Sequence, residues 1–175
     1  LERTLQQRCS SITLLLVDVD GVLTDGSIIY TDGGAEIKAF HVRDGSGLKL
    51  WVAAGKKSGI ITGRSSHLVA RRAAELGMTI VVQGAAHKLD ELVRILAEEK
   101  LQPEEVCFVG DDLPDLPVLR RCGLAVAVAD ACAEVRELAH YVTHCPGGRG
   151  AVREVIELIL RVQGRWQAAV AKFEA

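Results

Sequence analysis

The chain has 175 residues, 49% hydrophobic, 25% charged and 4% aromatic, which excludes a disordered chain and suits one α/β domain over residues 1–175. With 21 basic and 23 acidic residues the net charge is −2, which does not suggest a general electrostatic grip on nucleic acid. No apolar run reaches the roughly 18 residues of a membrane span, and residues 1–8 lack the features of a signal peptide, so a cytoplasmic location is expected.

Short apolar runs alternate with helical patterns along the chain. Residues 12–17, 60–61, 79–82, 106–109 and 124–128 read as strands apolar on both faces. Residues 46–54, 65–76, 87–100 and 113–122 carry apolar residues at helical spacing. This β-α-β-α rhythm predicts a Rossmann-like three-layer sandwich with a parallel sheet between helices. Lys56-Lys57-Ser58 make the second core strand short and polar at its start. Residues 27–31 and 36–40 flank Asp32-Gly33-Gly34 and predict a β-hairpin inserted after the first strand. No stretch is long enough for a cap domain. Pro146-Gly147-Gly148 marks a turn or mobile joint, and residues 149–162, apolar at 152, 155, 156, 159 and 160, predict a final helix.

The five cysteines, Cys9, Cys107, Cys122, Cys132 and Cys145, are odd in number and contain no C-x-x-C pair, so they read as small apolar residues or spare thiols. His140 and His144 have ligand spacing but no third partner. Cys145 adjoins His144, yet neighbours in sequence rarely face each other.

Ligands of open parallel sheets sit beyond the carboxyl ends of the strands. Asp18-Val19-Asp20-Gly21 follows the first strand, Thr62-Gly63-Arg64 the second, Lys88 the third, and Gly110-Asp111-Asp112-Leu113-Pro114-Asp115 the fourth. Hard carboxylate oxygens from Asp18 and Asp111 suit Mg²⁺. The ion, Lys88, the Thr62 hydroxyl and the Gly63 amide would neutralise the oxygens of a phosphoryl group. Asp18 could then attack phosphorus, and Asp20 could serve the leaving oxygen as acid and water as base. Arg64 can point past the phosphate towards a carboxylate or hydroxyls of the substrate.

In order and spacing these segments resemble the four motifs of the haloacid dehalogenase-like phosphatases. Phe40-His41-Val42-Arg43-Asp44-Gly45-Ser46-Gly47 and the run from Gly147 to Glu154 resemble, more narrowly, the capless 3-deoxy-D-manno-octulosonate 8-phosphate phosphatases. The resemblance implies Asp18 as nucleophile and metal ligand, Asp20 as acid/base with its backbone carbonyl on the metal, and Asp111 as metal ligand. Asp112 would stand in the ion's hydration shell and Asp115 in support, while Thr62 and Lys88 hold phosphate. It further implies a homotetramer whose hairpins form a barrel, burying Ile28, Ile29, Tyr30, Ile37 and Phe40 and shading neighbouring sites. In that arrangement the Gly147–Gly150 segment and its helix could close over substrate, with Arg149 or Arg153 meeting an anionic group. Related enzymes act on nine-carbon keto-sugar acids, so an analogous phosphate is the alternative substrate. A receiver-like signalling domain uses similar residues, but there the acidic pair leads and the acceptor Asp follows a later strand.

Overall fold

A computed structural model of the chain describes residues 3–173. Its first half runs α1 (Leu5–Ser11), β1 (Leu14–Val17), β2 (Ile29–Tyr30), β3 (Glu36–Ile37), α2 (Val42–Ala53), β4 (Lys57–Ile61), α3 (His67–Glu75) and β5 (Ile80–Val82). The second half runs α4 (Lys88–Glu99), β6 (Val106–Gly110), α5 (Leu116–Leu119), β7 (Leu124–Ala127), α6 (Ala133–Leu138), β8 (Tyr141–Val142), α7 (Ala151–Val162) and α8 (Trp166–Val170).

Six strands form one parallel sheet in the order β5-β4-β1-β6-β7-β8. All four β1 residues are fully buried, as a strand covered on both faces requires. Helices α1, α2 and α7 pack together, as do α4, α5 and α6, and the two groups flank the sheet as expected. The chain leaves β1 for β4 and β5 and then crosses back to β6. The order therefore reverses between β1 and β6, and the loops leaving their carboxyl ends part to form a crevice.

Several expectations need correction. The 79–82 strand is an edge strand, β5, only half-buried, with Val81 exposed. The 113–122 helix is a 3-10 turn, Leu113–Asp115, followed by the single turn of α5, because Pro117 has no N–H to donate to the carbonyl four residues back. Helix α2 begins at Val42, before the expected residue 46. Gly45 and Gly47 lie inside it, where an added Cβ would come 2.3 Å from Arg72 Nη2 and 3.0 Å from the Arg153 side chain. The early start buries Asp44, whose carboxylate accepts the N–H groups of Gly150 at 3.1 Å and Arg153 at 2.8 Å. One helix thereby caps the other.

Val152, Val155, Ile156, Ile159 and Leu160 are fully buried, so α7 is a core helix and not a lid. The glycines before it form a packed turn and not a mobile joint. Gly148 N–H donates to Val22 O at 2.8 Å and Gly147 N–H to Asp130 Oδ1 at 2.9 Å. Glu154 secures the preceding loop. Burial pushes its carboxyl up, but bonds from His144 N–H, the His144 ring, Tyr141 OH and Cys145 N–H outweigh burial and bring it down to about 2.

The hairpin is shorter than expected, with only Ile29 opposite Ile37 and Tyr30 opposite Glu36. Its turn closes through Gly34 N–H to Thr31 O at 2.8 Å, with Gly34 at φ +80°. Phe40 does not belong to the exposed ribbon. It packs against the core, beneath Arg72 at 5.9 Å. The lysines before β4 serve its lower end: Lys56 Nζ donates to Ile12 O at 2.6 Å, and Lys57 pairs with Glu99.

Candidate active site

Asp18 follows β1 directly, its N–H donating to Val109 O at 3.0 Å. The chain then coils so that the amides of Val22, Leu23 and Thr24 all reach Val19 O. Gly21 makes this possible. It sits at φ +93°, and a Cβ there would lie 2.0 Å from Asp111 Oδ2. The glycine is what lets the loop after β1 lie against the loop after β6.

Carboxylate oxygens of Asp18, Asp111 and Asp115 come within 4.8 Å of one another. Lys88, buried at the start of α4, places Nζ 3.0 Å from Asp18 Oδ2 and 2.7 Å from Asp115 Oδ1. Asp115 Oδ2 accepts the Asp111 N–H at 3.0 Å, so both Asp115 oxygens have protein partners. By contrast, Asp18 Oδ1 and Asp111 Oδ1 are buried with no hydrogen-bond partner among the described residues.

The electrostatics follow from that count. Burial, then Asp115, raise Asp18 to about 6 against the pull of Lys88. Burial, then Asp115 and Asp18, raise Asp111 to about 7. Burial would lower Lys88, but Asp115 and Asp18 overcome it and raise it. Three carboxylates share one ammonium, and two buried oxygens are left without a donor. A buried unpaired carboxylate is costly, and a small hard cation relieves both at once. The residues therefore fit Mg²⁺, with Asp115 serving to position Lys88 and the Asp111 loop.

Thr62 is fixed at the end of β4 by its N–H to Val82 O and its carbonyl to Ala85 N–H, both 3.0 Å. Asp18, Asp20, Thr62, Gly63, Lys88, Asp111, Asp112 and Asp115 all line one cleft of about 270 Å³, with Arg64 beside them. Asp112 also caps the 3-10 turn, exchanging side chain-to-backbone bonds with Asp115. Arg149 does not line the cleft. It is exposed and lies 3.5 Å from Asp25.

The expected residues are joined by two that the sequence did not single out, Glu36 of β3 and Lys38 just after it. Arg64 Nη2 pairs with Glu36 Oε1 at 2.8 Å, and Ser66 Oγ donates to Glu36 Oε2 at 2.7 Å. Arg64 Nη1 is buried without a partner among the described residues, and Nε stands 4.0 Å from Asp20 Oδ2. Lys38 pairs with Asp20 Oδ1 and lies 3.5 Å from Glu36. Alternating Lys and Glu along a short exposed ribbon carry no signal of their own in sequence. Only the docking of the hairpin beside the β1 and β4 loops reveals them.

The other reactive side chains lie elsewhere. His140 Nδ1 accepts the Ala125 N–H at 2.9 Å, whereas His144 faces Glu154, so the two do not converge. All five cysteines are free thiols. Burial pushes Cys9 to about 11 and Cys122 to about 12. Among the described residues no helix is long and apolar enough to cross a membrane.

Residues 77–156 match the haloacid dehalogenase-like hydrolase family. The chain is 48% identical over 163 residues to the 3-deoxy-D-manno-octulosonate 8-phosphate phosphatase of Yersinia pestis, covering 93% of this chain and 87% of that protein. It is 47% identical over 162 residues to the enzyme of the same name from Escherichia coli, covering 93% and 86%. The crystal structure of the Moraxella catarrhalis 3-deoxy-D-manno-octulosonate 8-phosphate phosphatase, in complex with magnesium, phosphate and KDO, superposes with a TM-score of 0.94 at 44% identity, covering 96% of this chain and 97% of that one.

Proposed function

Because the chain belongs to the haloacid dehalogenase-like hydrolases, and among them to the 3-deoxy-D-manno-octulosonate 8-phosphate phosphatases, we propose that it is a Mg²⁺-dependent phosphatase releasing the free sugar acid and phosphate from that ester. The observation that carries the reading is the pair of buried, unpaired oxygens on Asp18 and Asp111 beside Lys88. Asp18, Asp111 and the Asp20 backbone carbonyl would hold Mg²⁺, whose charge offsets that of the phosphoryl oxygens and of the carboxylates around it.

Lys88, the Thr62 hydroxyl and the Gly63 amide bind those oxygens and hold phosphorus in front of Asp18. An Asp18 oxygen bonds to phosphorus as the ester P–O bond breaks, and Asp20 gives its proton to the departing sugar oxygen. In the second half Asp20 takes a proton from water. The water oxygen displaces the Asp18 carboxylate from phosphorus, releasing phosphate. Asp112 and Asp115 hold the Asp111 loop in place. The test is phosphate release from a panel: the octulosonate 8-phosphate, a nine-carbon keto-sugar acid phosphate and an aryl phosphate. Highest kcat/KM on the first is expected. Preference for the nine-carbon ester would move the substrate, and single-round labelling without phosphate release would replace the enzyme by a receiver-like domain.

Arg64 is assigned to the substrate's carboxylate or hydroxyls through its unpartnered Nη1. A charge-assisted hydrogen bond is worth about 1.5–3 kcal/mol, so Arg64→Ala should lower kcat/KM on the keto-sugar acid phosphate by about 10- to 150-fold and on an aryl phosphate far less. Equal losses on both would remove Arg64 from the substrate site. Arg149, exposed beside Asp25 outside the cleft, is proposed to meet the substrate's anionic end.

The hairpin supports a homotetramer with shared sites. Ile28, Ile29, Tyr30 and Ile37 are exposed by 55%, 44%, 62% and 47%, on a ribbon too short to stand alone in water. Four such ribbons packed together would bury these residues and shade each cleft. Light scattering at micromolar concentration should find four subunits. A fully active monomer would overturn the shared site. We infer a cytoplasmic location: the ester is a polyanion that does not cross a bilayer, so the enzyme works in the compartment where its substrate is made.

A further inference from the structure

We propose that Lys38 is a positioning residue for the phosphatase reaction, holding Asp20 in the orientation from which it exchanges protons. The proposal rests on the reading of Asp20 as acid and base. Lys38 comes from the hairpin, outside every motif segment, yet its side chain is only 2% exposed and its ammonium pairs with Asp20 Oδ1. The same ammonium lies 3.5 Å from Glu36, which is itself tied to Arg64 and Ser66 in the loop after β4. Lys38 is thus held from behind by a carboxylate that the scaffold fixes.

The geometry gives the two Asp20 oxygens different surroundings. Oδ1 is taken by Lys38, whereas Oδ2 makes no hydrogen bond among the described residues and stands 4.0 Å from Arg64 Nε. A carboxylate gripped by one oxygen keeps the other aimed into the cleft it lines. Without Lys38 the side chain can rotate freely about its χ angles, and misplacement of a reacting group by about 1 Å can cost on the order of 100-fold in rate. An ion pair with so little exposure is also hard for water to replace. Lys38 touches Asp20 directly and reaches Arg64 only through Glu36, which Ser66 also holds, so its loss should fall mainly on proton transfer.

The experiment compares the wild-type enzyme, Lys38→Met and Lys38→Arg on the keto-sugar acid phosphate and on 4-nitrophenyl phosphate, with Mg²⁺ present. Nitrophenolate leaves without a proton, so its first turnover does not need Asp20, whereas hydrolysis of the Asp18 phosphate does. Lys38→Met should lower kcat on the sugar phosphate by about 10- to 100-fold with KM within twofold. On the aryl ester it should show a burst of nitrophenol equal to the enzyme concentration, followed by slow steady turnover. Lys38→Arg, which keeps the charge, should recover most of kcat. Unchanged kcat overturns the proposal. So does a loss confined to KM, which would make Lys38 a substrate contact, or an equal loss in first and later turnovers, which would make it merely structural. If Lys38→Met unfolds, Lys38→Gln, which also removes the charge, is read by the same burst. A wild-type protein inactive on both esters would instead overturn the phosphatase reading itself.

Discussion

Replacing Asp18 by asparagine is expected to abolish turnover while leaving the protein at least as stable as before. The amide keeps the shape of the side chain and can still accept the Lys88 hydrogen bond found at 3.0 Å. It has no charged oxygen with which to attack phosphorus, and loss of a nucleophile costs on the order of 10⁴–10⁶ in kcat. Stability should move the other way. Asp18 is crowded by burial and by Asp115, which hold its carboxyl up at about 6, so the uncharged amide relieves repulsion that the metal-free protein bears at neutral pH. Incubation with ³²P-labelled 4-nitrophenyl phosphate, whose leaving group needs no proton, should label the Asp20→Asn protein, which lacks the acid and base, but never Asp18→Asn. Turnover of Asp18→Asn within tenfold of wild type would sink the assignment of the nucleophile.

The motif residues were legible because each follows a strand whose apolar run is unmistakable. The Leu14–Val17 and Val106–Gly110 strands are buried along their whole lengths, and each is followed at once by carboxylates. Physical constraint at the sheet's carboxyl edge turns sequence order into spatial neighbourhood. Where local pattern and tertiary packing disagree, the sequence misleads. Gly45 and Gly47 look like helix breakers, yet they sit inside α2 because Arg72 and α7 press against it. Leu113 to Cys122 has helical apolar spacing, but Pro117 splits it. The Gly147–Gly148 pair looks like a hinge and is a close-packing device, since a Cβ on Gly147 would meet Gly21 O at 1.7 Å. Elements α1, α6, β8 and α8 are each seven residues or fewer, too short for any period to show. Lys38 and Glu36 were invisible for another reason. Their importance comes from a tertiary docking that no local pattern encodes.

Mg²⁺ is expected to stabilise the protein much more at pH 8 than at pH 5. Burial and mutual repulsion raise the folded-state values of Asp18 to about 6 and of Asp111 to about 7, against an ordinary value of 3.8. A carboxyl raised by folding binds its proton more tightly in the folded state. Its favourable contribution is complete below the unfolded value near 4 and disappears as pH climbs through 6 and 7. The metal-free protein should therefore lose stability between pH 4 and pH 8 through these two groups. In the same interval the carboxylates become free to take a cation, and the repulsion that destabilises the empty cluster becomes the attraction that holds the ion. At a Mg²⁺ concentration about 100 times the dissociation constant the gain is about 2.7 kcal/mol, or roughly 5–10 °C in melting temperature for a chain of this size. At pH 5 protons hold both sites, and the gain should shrink to a small fraction. Chelation at pH 8 should abolish activity together with the added stability, and Mg²⁺ should restore both. Calorimetry with chelator or Mg²⁺ at the two pH values, on the wild type and on Asp111→Asn, reads the effect directly. The Asp111→Asn protein should lose most of the Mg²⁺ shift. An equal shift at both pH values, or a full shift in that variant, would place the ion elsewhere than on the oxygens left unpaired between β1 and β6.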